Sequence, residues 1–300
     1  MRVLSLFDGI SCGLVALKRV GVKVDSYHAS EIDKHAIKIS RANHEEIIHI
    51  GDVTKIDASQ YKGIDLLLSG SPCQGFSFAG KQLNFNDPRS KLFWEFVRIL
   101  KSTKPKYFLL ENVPMKKEYL DVITEAVGVN PILINSADFS AQNRKRYYWT
   151  NIPIGSWVSS DIKLVDILEH GFVDREKSFC IDSGYFKGGN PKQYFESSRR
   201  HLAFNYSSSG RGNGVIEGRF TEAHKALTLT AQGYSARAVT GVLNDGEELT
   251  WRHLTVLECE RLQTLPDGYT DKGVNQRNRY KAIGNGWTVD VIAHIFQGLK

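Results

Sequence analysis

The sequence lacks any long uninterrupted apolar segment, and its few cysteines have no paired spacing. No run approaches the roughly 18 apolar residues that a membrane-spanning helix needs. The N-terminus has no signal-peptide pattern, because Asp8 interrupts the first apolar run. Without a CxxC pair, the four cysteines favour neither a zinc site nor a disulfide framework. We therefore expect a cytoplasmic protein with free thiols, no metal and no membrane association.

Charge of one sign is only slightly in excess. The formal net charge of +6 over 300 residues permits a polyanionic partner but does not require one. The apolar fraction of 41% and the charged fraction of 24% are ordinary for a globular protein. The length suits one large domain or two smaller ones.

Strand-like and helix-like segments alternate through the first half of the chain. Strands are predicted over 2–7, 24–30, 64–69, 106–110 and 132–135, and helices over 13–20, 33–43 and 90–101. This alternation predicts an α/β fold with a doubly wound, mostly parallel sheet that carries helices on both faces.

The composition changes after about residue 151. Residues 155–250 are rich in Gly, Ser, Asn and Thr and have poor periodicity, which predicts a smaller, irregular, partly β domain. Helical patterns return over 255–265 and 288–299. We therefore predict a first domain over 1–154, a second domain over 155–250, and a return segment over 251–300 that completes the first domain.

Glycines and acids follow the first strands, at the edge where open parallel sheets bind ligands. Gly9 and Gly13 would let a ligand approach the backbone closely after the first strand. The spacing is not GxGxxG, which disfavours a nicotinamide dehydrogenase. Acids after three strands, Asp8, Glu31 and Asp52, suit a ribose diol and a cationic sulfonium better than a pyrophosphate.

A cysteine and a carboxylic acid follow two further strands. Cys73 lies on the SPCQG loop directly after the strand at 64–69, and Glu111 follows the strand at 106–110. Both are therefore expected at the ligand edge, where a thiolate nucleophile and an acid could act together. Cytosine methylation needs this combination, because carbon 5 becomes nucleophilic only after a thiolate adds to carbon 6 and nitrogen 3 is protonated or hydrogen-bonded.

Two arginines alternate in Gln142-Asn143-Arg144-Lys145-Arg146. Alternate residues of an extended segment point to the same side, so Arg144 and Arg146 could hold a base and its phosphate and place positive charge near the thiolate. A solvated basic turn is the competing interpretation.

These segments, in this order, resemble the cytosine-5 DNA methyltransferases over nearly the whole chain. The matching segments are FDGISCG, SPCQGFS, DPRSKLFWEFVRI, ENV, QNRKR, RHLTVLECERLQTLPDGYT and GNG. Two positions depart from the family pattern: Cys12 stands where many members have glycine, and Gly286 where serine or alanine is common.

The resemblance implies three groups of functional residues. Those for catalysis are Cys73, Glu111, Arg144 and Arg146. Those for the cofactor, S-adenosylmethionine, are Phe7, Asp8, Gly9, Gly13, Glu31, Ile32, Asp52, Val53, Pro72, Leu92 and Asn285. Those for the substrate are Gln74, Ser77, Asn112, Gln142, Thr228, Thr230 and Arg237.

The expected partner is double-stranded DNA, from which the target cytosine is flipped because a stacked base cannot reach Cys73. A tRNA cytosine-5 methyltransferase and a non-catalytic DNA-binding homologue remain alternatives. Gln74 after Pro-Cys, together with the long variable segment, favours DNA, and no DPPY-like motif of adenine methyltransferases is present. We expect a monomer. The recognition sequence and the existence of a cognate restriction endonuclease are left open.

Overall fold

The computed structural model describes residues 1–71, 91–187, 194–195, 197–207 and 248–300. Its strands are β1 Arg2–Leu6, β2 Ser26–Ser30, β3 Ile48–His49, β4 Leu66–Ser69, β5 Tyr107–Asn112, β6 Ile132–Asn135, β7 Lys145–Thr150, β8 Leu202–Ser207 and β9 Glu248–His253. Its helices are α1 Cys12–Arg19, α2 Lys34–Asn43, α3 Lys91–Thr103, α4 Lys117–Val127, α5 Val256–Leu262, α6 Gln276–Asn285 and α7 Val289–Phe296.

Seven strands form one sheet in the order β3-β2-β1-β4-β5-β7-β6. The pairings from β3 to β5 are parallel, whereas β7 runs antiparallel to both of its neighbours. The predicted fold class, a doubly wound and mostly parallel sheet, is confirmed. The carboxyl ends of β1, β2, β4 and β5 therefore meet at one edge, which is where the site must be sought.

Helices cover both faces of the sheet. Alternate residues of each strand point to opposite faces and pack on different helices. Leu66 and Leu68 pack with α1 and α7 in one apolar cluster, and Leu67 packs with α3 in the other. Burial on both faces explains why these strands read as continuous apolar runs. At the end of the chain, α7 is docked on α1, and Arg19 holds Asp290 at 2.6 Å.

Where an element was predicted, its boundaries differ from the observed ones by a few residues at most, but several observed elements had no predicted range. The first strand ends before Phe7, whose φ of 55° takes it out of extended backbone. Asp33 caps α2, as expected, by accepting from the His35 amide. Among them are α6, whose sequence QRNRYKAIGN has a weak apolar stripe, and the reversed strand β7. No helix in the described ranges combines the length and the apolar character needed to cross a bilayer.

A buried ion pair joins the antiparallel β8–β9 pair to α5. Arg252 forks both carboxylate oxygens of Glu258 at 2.7 Å, and Glu258 is fully buried. The same carboxylate accepts the backbone amides of Thr255 and Glu169, each at 2.8 Å. Every acceptor position of Glu258 therefore faces a donor. The Arg252–Glu258 ion pair fixes the position of β9 relative to α5.

Removing this carboxylate should destabilise the protein strongly. Glu258→Ala leaves Arg252 largely buried without its partner, so we expect the free energy of unfolding to fall by about 3–5 kcal/mol. Chemical denaturation followed by circular dichroism measures this loss. The control is Glu176→Ala, because Glu176 pairs with Lys163 at the surface and its removal should leave the unfolding midpoint unchanged. Equal effects of the two variants would contradict the assigned role.

Candidate active site and cofactor edge

The loop after β1 has an unusual backbone. Phe7, Gly9 and Ser11 have φ values of 55°, 60° and 62°, a region that side chains larger than glycine rarely adopt. Such strain persists where surrounding bonds over-determine the conformation. Here the Asp8 amide donates to Ser30 O at 3.0 Å, and the Gly9 amide donates to Glu31 at 2.8 Å. A Cβ at Gly9 would meet only open space, so this turn leaves room beside the sheet edge.

Asp8 does not present its carboxylate to that space. It accepts hydrogen bonds from Tyr27 Oη at 2.7 Å and from Ser11 Oγ at 2.5 Å. Burial raises the pKa of Asp8 above its usual value, although these hydrogen bonds oppose the shift. The side chain thus holds the loop closed on the sheet, which differs from the expectation of an acid facing a sulfonium.

Glu31 is fixed at the carboxyl end of β2. One oxygen accepts the amides of Ile32 and Asp33 at 2.7 and 2.8 Å, and the other accepts the Gly9 amide at 2.8 Å. Lone pairs remain on this carboxylate, since it has about four acceptor sites and three donors. Beside it, Ile32 is 75% exposed and offers a large apolar surface.

Asp52 lies at the end of the neighbouring strand β3. It caps the short 3-10 helix Val53–Lys55 by accepting Thr54 N at 3.0 Å and Thr54 Oγ1 at 2.9 Å. The hydrogen bond from the Thr54 amide lowers the pKa of Asp52, so it is ionised at neutral pH. Ser30 Oγ donates to Gly51 O at 2.7 Å, which ties this turn to β2. Glu31 and Asp52 therefore follow two neighbouring strands, and Val53, next to Asp52, is buried.

The C-terminal GN segment closes the same edge. An ideal Cβ at Gly286 would lie 3.2 Å from the sulfur of Cys12, and one at Gly13 would lie 2.7 Å from Leu68 Cδ1. Burial raises the pKa of Cys12 to about 12, so its thiol is protonated at neutral pH and packs as a small apolar side chain. The two positions that depart from the family pattern are therefore neighbours. Cys12 is larger than the glycine common there, and Gly286 is smaller than the serine or alanine common there. Asn285, next to Gly286, is exposed at the end of α6.

Glu111 forms an ion pair with Arg146. Arg146 Nε lies 2.9 Å from Glu111 Oε1, and the two side chains are only 13% and 11% exposed. The antiparallel pairing of β5 with β7 sets Glu111 opposite Tyr148 and brings Arg146 within reach. Burial raises the pKa of Tyr148, and the neighbouring carboxylate of Glu111 adds to this shift.

Asn112 connects this pair to the end of β4. Its side chain donates to Ser71 Oγ at 3.3 Å and accepts the Val113 amide at 2.8 Å. Ser71 lies two residues before Cys73 in the sequence. Asn112 is 1% exposed and joins two strand ends in this structure, and its expected contact with substrate stays a prediction.

Gln142 and Arg144 lie in the interior, which differs from their expected contact with a base or phosphate. Gln142 is fully buried, accepts the Ile181 amide at 2.8 Å and donates to Leu262 O at 3.3 Å. Arg144 donates to Ile181 O at 3.0 Å and to Gly286 O at 2.9 Å. Only Arg146 of the predicted pair of arginines meets Glu111.

Several predicted site residues lie outside the described residues: Pro72, Cys73, Gln74, Ser77, Thr228, Thr230 and Arg237. Their roles stay predictions. Leu92 is half-buried near the start of α3 and packs on the second apolar cluster.

Sequence reasoning missed Tyr27 and Cys180. Tyr27 is an ordinary strand aromatic in sequence, and Cys180 is more than thirty residues from the arginines that donate to its sulfur.

A mostly parallel seven-stranded sheet with one reversed strand and acids at the carboxyl ends of β2 and β3 matches the Rossmann-like methyltransferase fold. A solved methyltransferase from Entamoeba histolytica, EhMeth, shares the fold, with a TM-score of 0.70 over 100% of this chain and 99% of that one at 19% identity. The model of the C-5 cytosine-specific DNA methylase family matches residues 1–163 and 168–300. The chain therefore belongs to that family.

Two curated relatives show how far the similarity extends. The type II methyltransferase M1.ScrFI of Lactococcus lactis subsp. cremoris is 30% identical over 313 residues, which cover 97% of this chain and 76% of that protein. The orphan methyltransferase M.SPRI of Bacillus phage SPR is 41% identical over 189 residues, covering 57% of this chain. The chain spans only 43% of M.SPRI's length.

The contact between Cys12 and Gly286 predicts energetic coupling. Gly286 has an ordinary φ of −69°, so Gly286→Ala should cost stability through crowding of the Cys12 sulfur at 3.2 Å and of the Ile283 carbonyl at 3.3 Å, and not through backbone strain. In a Cys12→Ala background the same change should cost less, with a coupling energy of about 0.5–3 kcal/mol. Thermal unfolding of the two single variants and the double variant measures it. Strictly additive effects would contradict the contact.

Proposed function

We propose that this protein transfers a methyl group from S-adenosylmethionine to carbon 5 of a flipped cytosine in DNA, with Cys73 as the nucleophile. The observation that carries the proposal is the Glu111–Arg146 pair, which lies beside the strand end leading to Cys73. Ser71 contacts Asn112, the neighbour of Glu111, and two residues of chain reach at most about 7 Å. Membership of the C-5 cytosine-specific DNA methylase family supports the reaction class.

The residues at the cofactor edge fit S-adenosylmethionine. Glu31 has acceptor capacity left for ribose hydroxyls, Ile32 offers an apolar face for adenine, and Asp52 is ionised beside it. Open space at Gly9 gives the ligand access to the backbone, and Asn285 would line the site from α6. We place Phe7, Gly13, Val53, Pro72 and Leu92 around them. When bound, the cofactor supplies an electrophilic methyl group.

The chain's own residues would activate the pyrimidine. The Cys73 thiolate adds to carbon 6, while Glu111 hydrogen-bonds or protonates ring nitrogen 3, so carbon 5 gains enamine character. Arg146 holds Oε1 of Glu111 and thereby leaves Oε2 for the base. After carbon 5 is methylated, its proton is lost to a base, and the carbon–sulfur bond breaks to release the thiolate.

The remaining roles follow from the contacts. We propose that Arg144 and Gln142 are positioning residues, since they bind the backbone at Ile181 and, through Arg144, at Gly286. Residues 155–250 would recognise the DNA sequence, with Thr228, Thr230 and Arg237 among the contacts, and 251–300 would complete the catalytic domain 1–154. Gln74 and Ser77 would contact the DNA from the catalytic loop. We propose a monomer that acts where the DNA is, in the cytoplasm of a bacterial or phage-infected cell.

Expression in a host without cytosine methylation tests the activity. Wild-type protein should leave 5-methylcytosine at one short sequence in plasmid DNA, and Cys73→Ala should leave none. Bisulfite sequencing of the plasmid and of the host tRNA separates the two polymers. Methylated tRNA with unmethylated plasmid would favour the RNA alternative, and modification by Cys73→Ala would overturn the nucleophile.

Glu111 should act in chemistry and not in DNA binding. Glu111→Gln keeps the size of the side chain but weakens proton donation, so we expect turnover to fall by about 10²- to 10⁴-fold with duplex affinity retained. Single-turnover assays and gel shifts measure the two quantities. The matched control is Glu118→Gln on the exposed first turn of α4, which should change neither. Loss of duplex binding in Glu111→Gln would contradict the role.

A further inference from the structure

A basic groove lies between the start of α6 and the 3-10 turn Tyr185–Lys187. Its volume is about 480 Å³, and its charged lining residues are Lys187, Arg277 and Lys281. No carboxylate is among its lining residues in the described part of the chain. A concave surface with cations from two separate elements favours an anionic ligand.

Two of the three cations are not neutralised. Lys281 pairs with Asp33 at 2.6 Å, so its charge is offset. Lys187 and Arg277 are exposed, and neither has an ion pair with a carboxylate in the described ranges. Asp182, the acid nearest to Lys187 along the sequence, pairs with Arg199 at 3.3 Å. The groove therefore keeps about two positive charges for a partner.

Arg277 is also oriented. Its guanidinium lies 4.6 Å from the centre of the Phe186 ring, which stabilises one face of the planar cation. The in-plane N–H groups of a stacked guanidinium remain free, and their fork geometry matches a phosphate. The positive end of the ten-residue helix α6 adds to this field at the same place.

The groove is connected to the catalytic pair by one short segment. Cys180 lies 3.9 Å from Arg146 Nη2, and the chain runs from there to Lys187. Seven residues span at most about 25 Å, and a duplex carries one negative charge per roughly 1.7 Å of its axis. A duplex with its target base at Glu111 extends farther than this distance, so the groove lies within the reach of its backbone phosphates.

We infer that Lys187 and Arg277 bind backbone phosphates of the DNA substrate, outside the contacts that read the sequence. This inference rests on the proposed function. Phosphate contacts fix the register of a duplex without carrying sequence information. The groove would therefore contribute to affinity equally for every duplex, and its contribution would fall with salt.

The salt dependence of binding tests the inference. Lys187→Ala/Arg277→Ala should lower the slope of log affinity against log salt by about two, because each phosphate contact contributes about one. Affinity at low salt should fall for cognate and non-cognate duplexes alike. The charge-matched control is Lys23→Ala/Lys62→Ala, since both residues are exposed and precede β2 and β4 at the opposite edge of the sheet.

Each outcome separates the groove from the proposed activity. An unchanged slope in a folded double variant, or the same change in the control, would overturn the phosphate assignment while wild-type methylation of DNA still stands. A loss confined to the cognate duplex would also overturn it, because it would indicate base recognition. If the wild-type protein methylates no DNA, the proposed function itself falls. Circular dichroism of each variant checks that it is folded.

Discussion

The ion pair between Glu111 and Arg146 is the contact on which the site depends. A carboxylate that is 11% exposed needs a cationic or hydrogen-bonding partner. Arg146 is that partner, and it lies on β7, the strand that pairs antiparallel with β5. Because β7 runs antiparallel, the segment at its start lies at the carboxyl end of β5, where a parallel strand would bring its final residues instead. Reversing one strand thus places a guanidinium at the edge where the segment leading to Cys73 begins.

The same strand start also ties distant parts of the chain together. Arg144, two residues earlier, bonds the carbonyls of Ile181 and Gly286, which lie 37 and 142 residues away. Gly286 in turn packs on Cys12, so the loop after β1, the end of α6 and the segment leading to the basic groove share one buried junction. At the cofactor edge the backbone amides of Gly9, Ile32 and Asp33 fix Glu31 in the same way. The proposed binding of the cofactor and the proposed activation of the base both require such rigid placement of polar groups.

Much of the fold could be predicted because buried parallel strands have a distinctive composition. The run at 64–69 and the run at 106–110 are apolar on both faces, since helices cover both sides of the sheet. Asp33 could be recognised as a helix cap because capping is a local interaction. Helix α6 could not, because its exposed polar residues leave a weak stripe and its contacts, Ile283 and Tyr280 with an apolar cluster and Lys281 with Asp33, are made to distant segments. The burial of Gln142 was equally invisible, since its partners at Ile181 and Leu262 are brought to it by the fold.

By itself, the sequence determined which chemical groups are present and in what order strand ends deliver them: acids first, then a cysteine, a glutamate and two arginines. Family membership followed from that order. The tertiary structure decided which way each group points. Asp8 turns inward to Tyr27. Arg144 and Arg146 both reach the sulfur of Cys180, as their period-two spacing suggests, but Arg144 goes on to backbone carbonyls and Arg146 to Glu111. The physical reason is that burial and hydrogen-bond partners set a side chain's direction, and those partners come from segments far away in the chain.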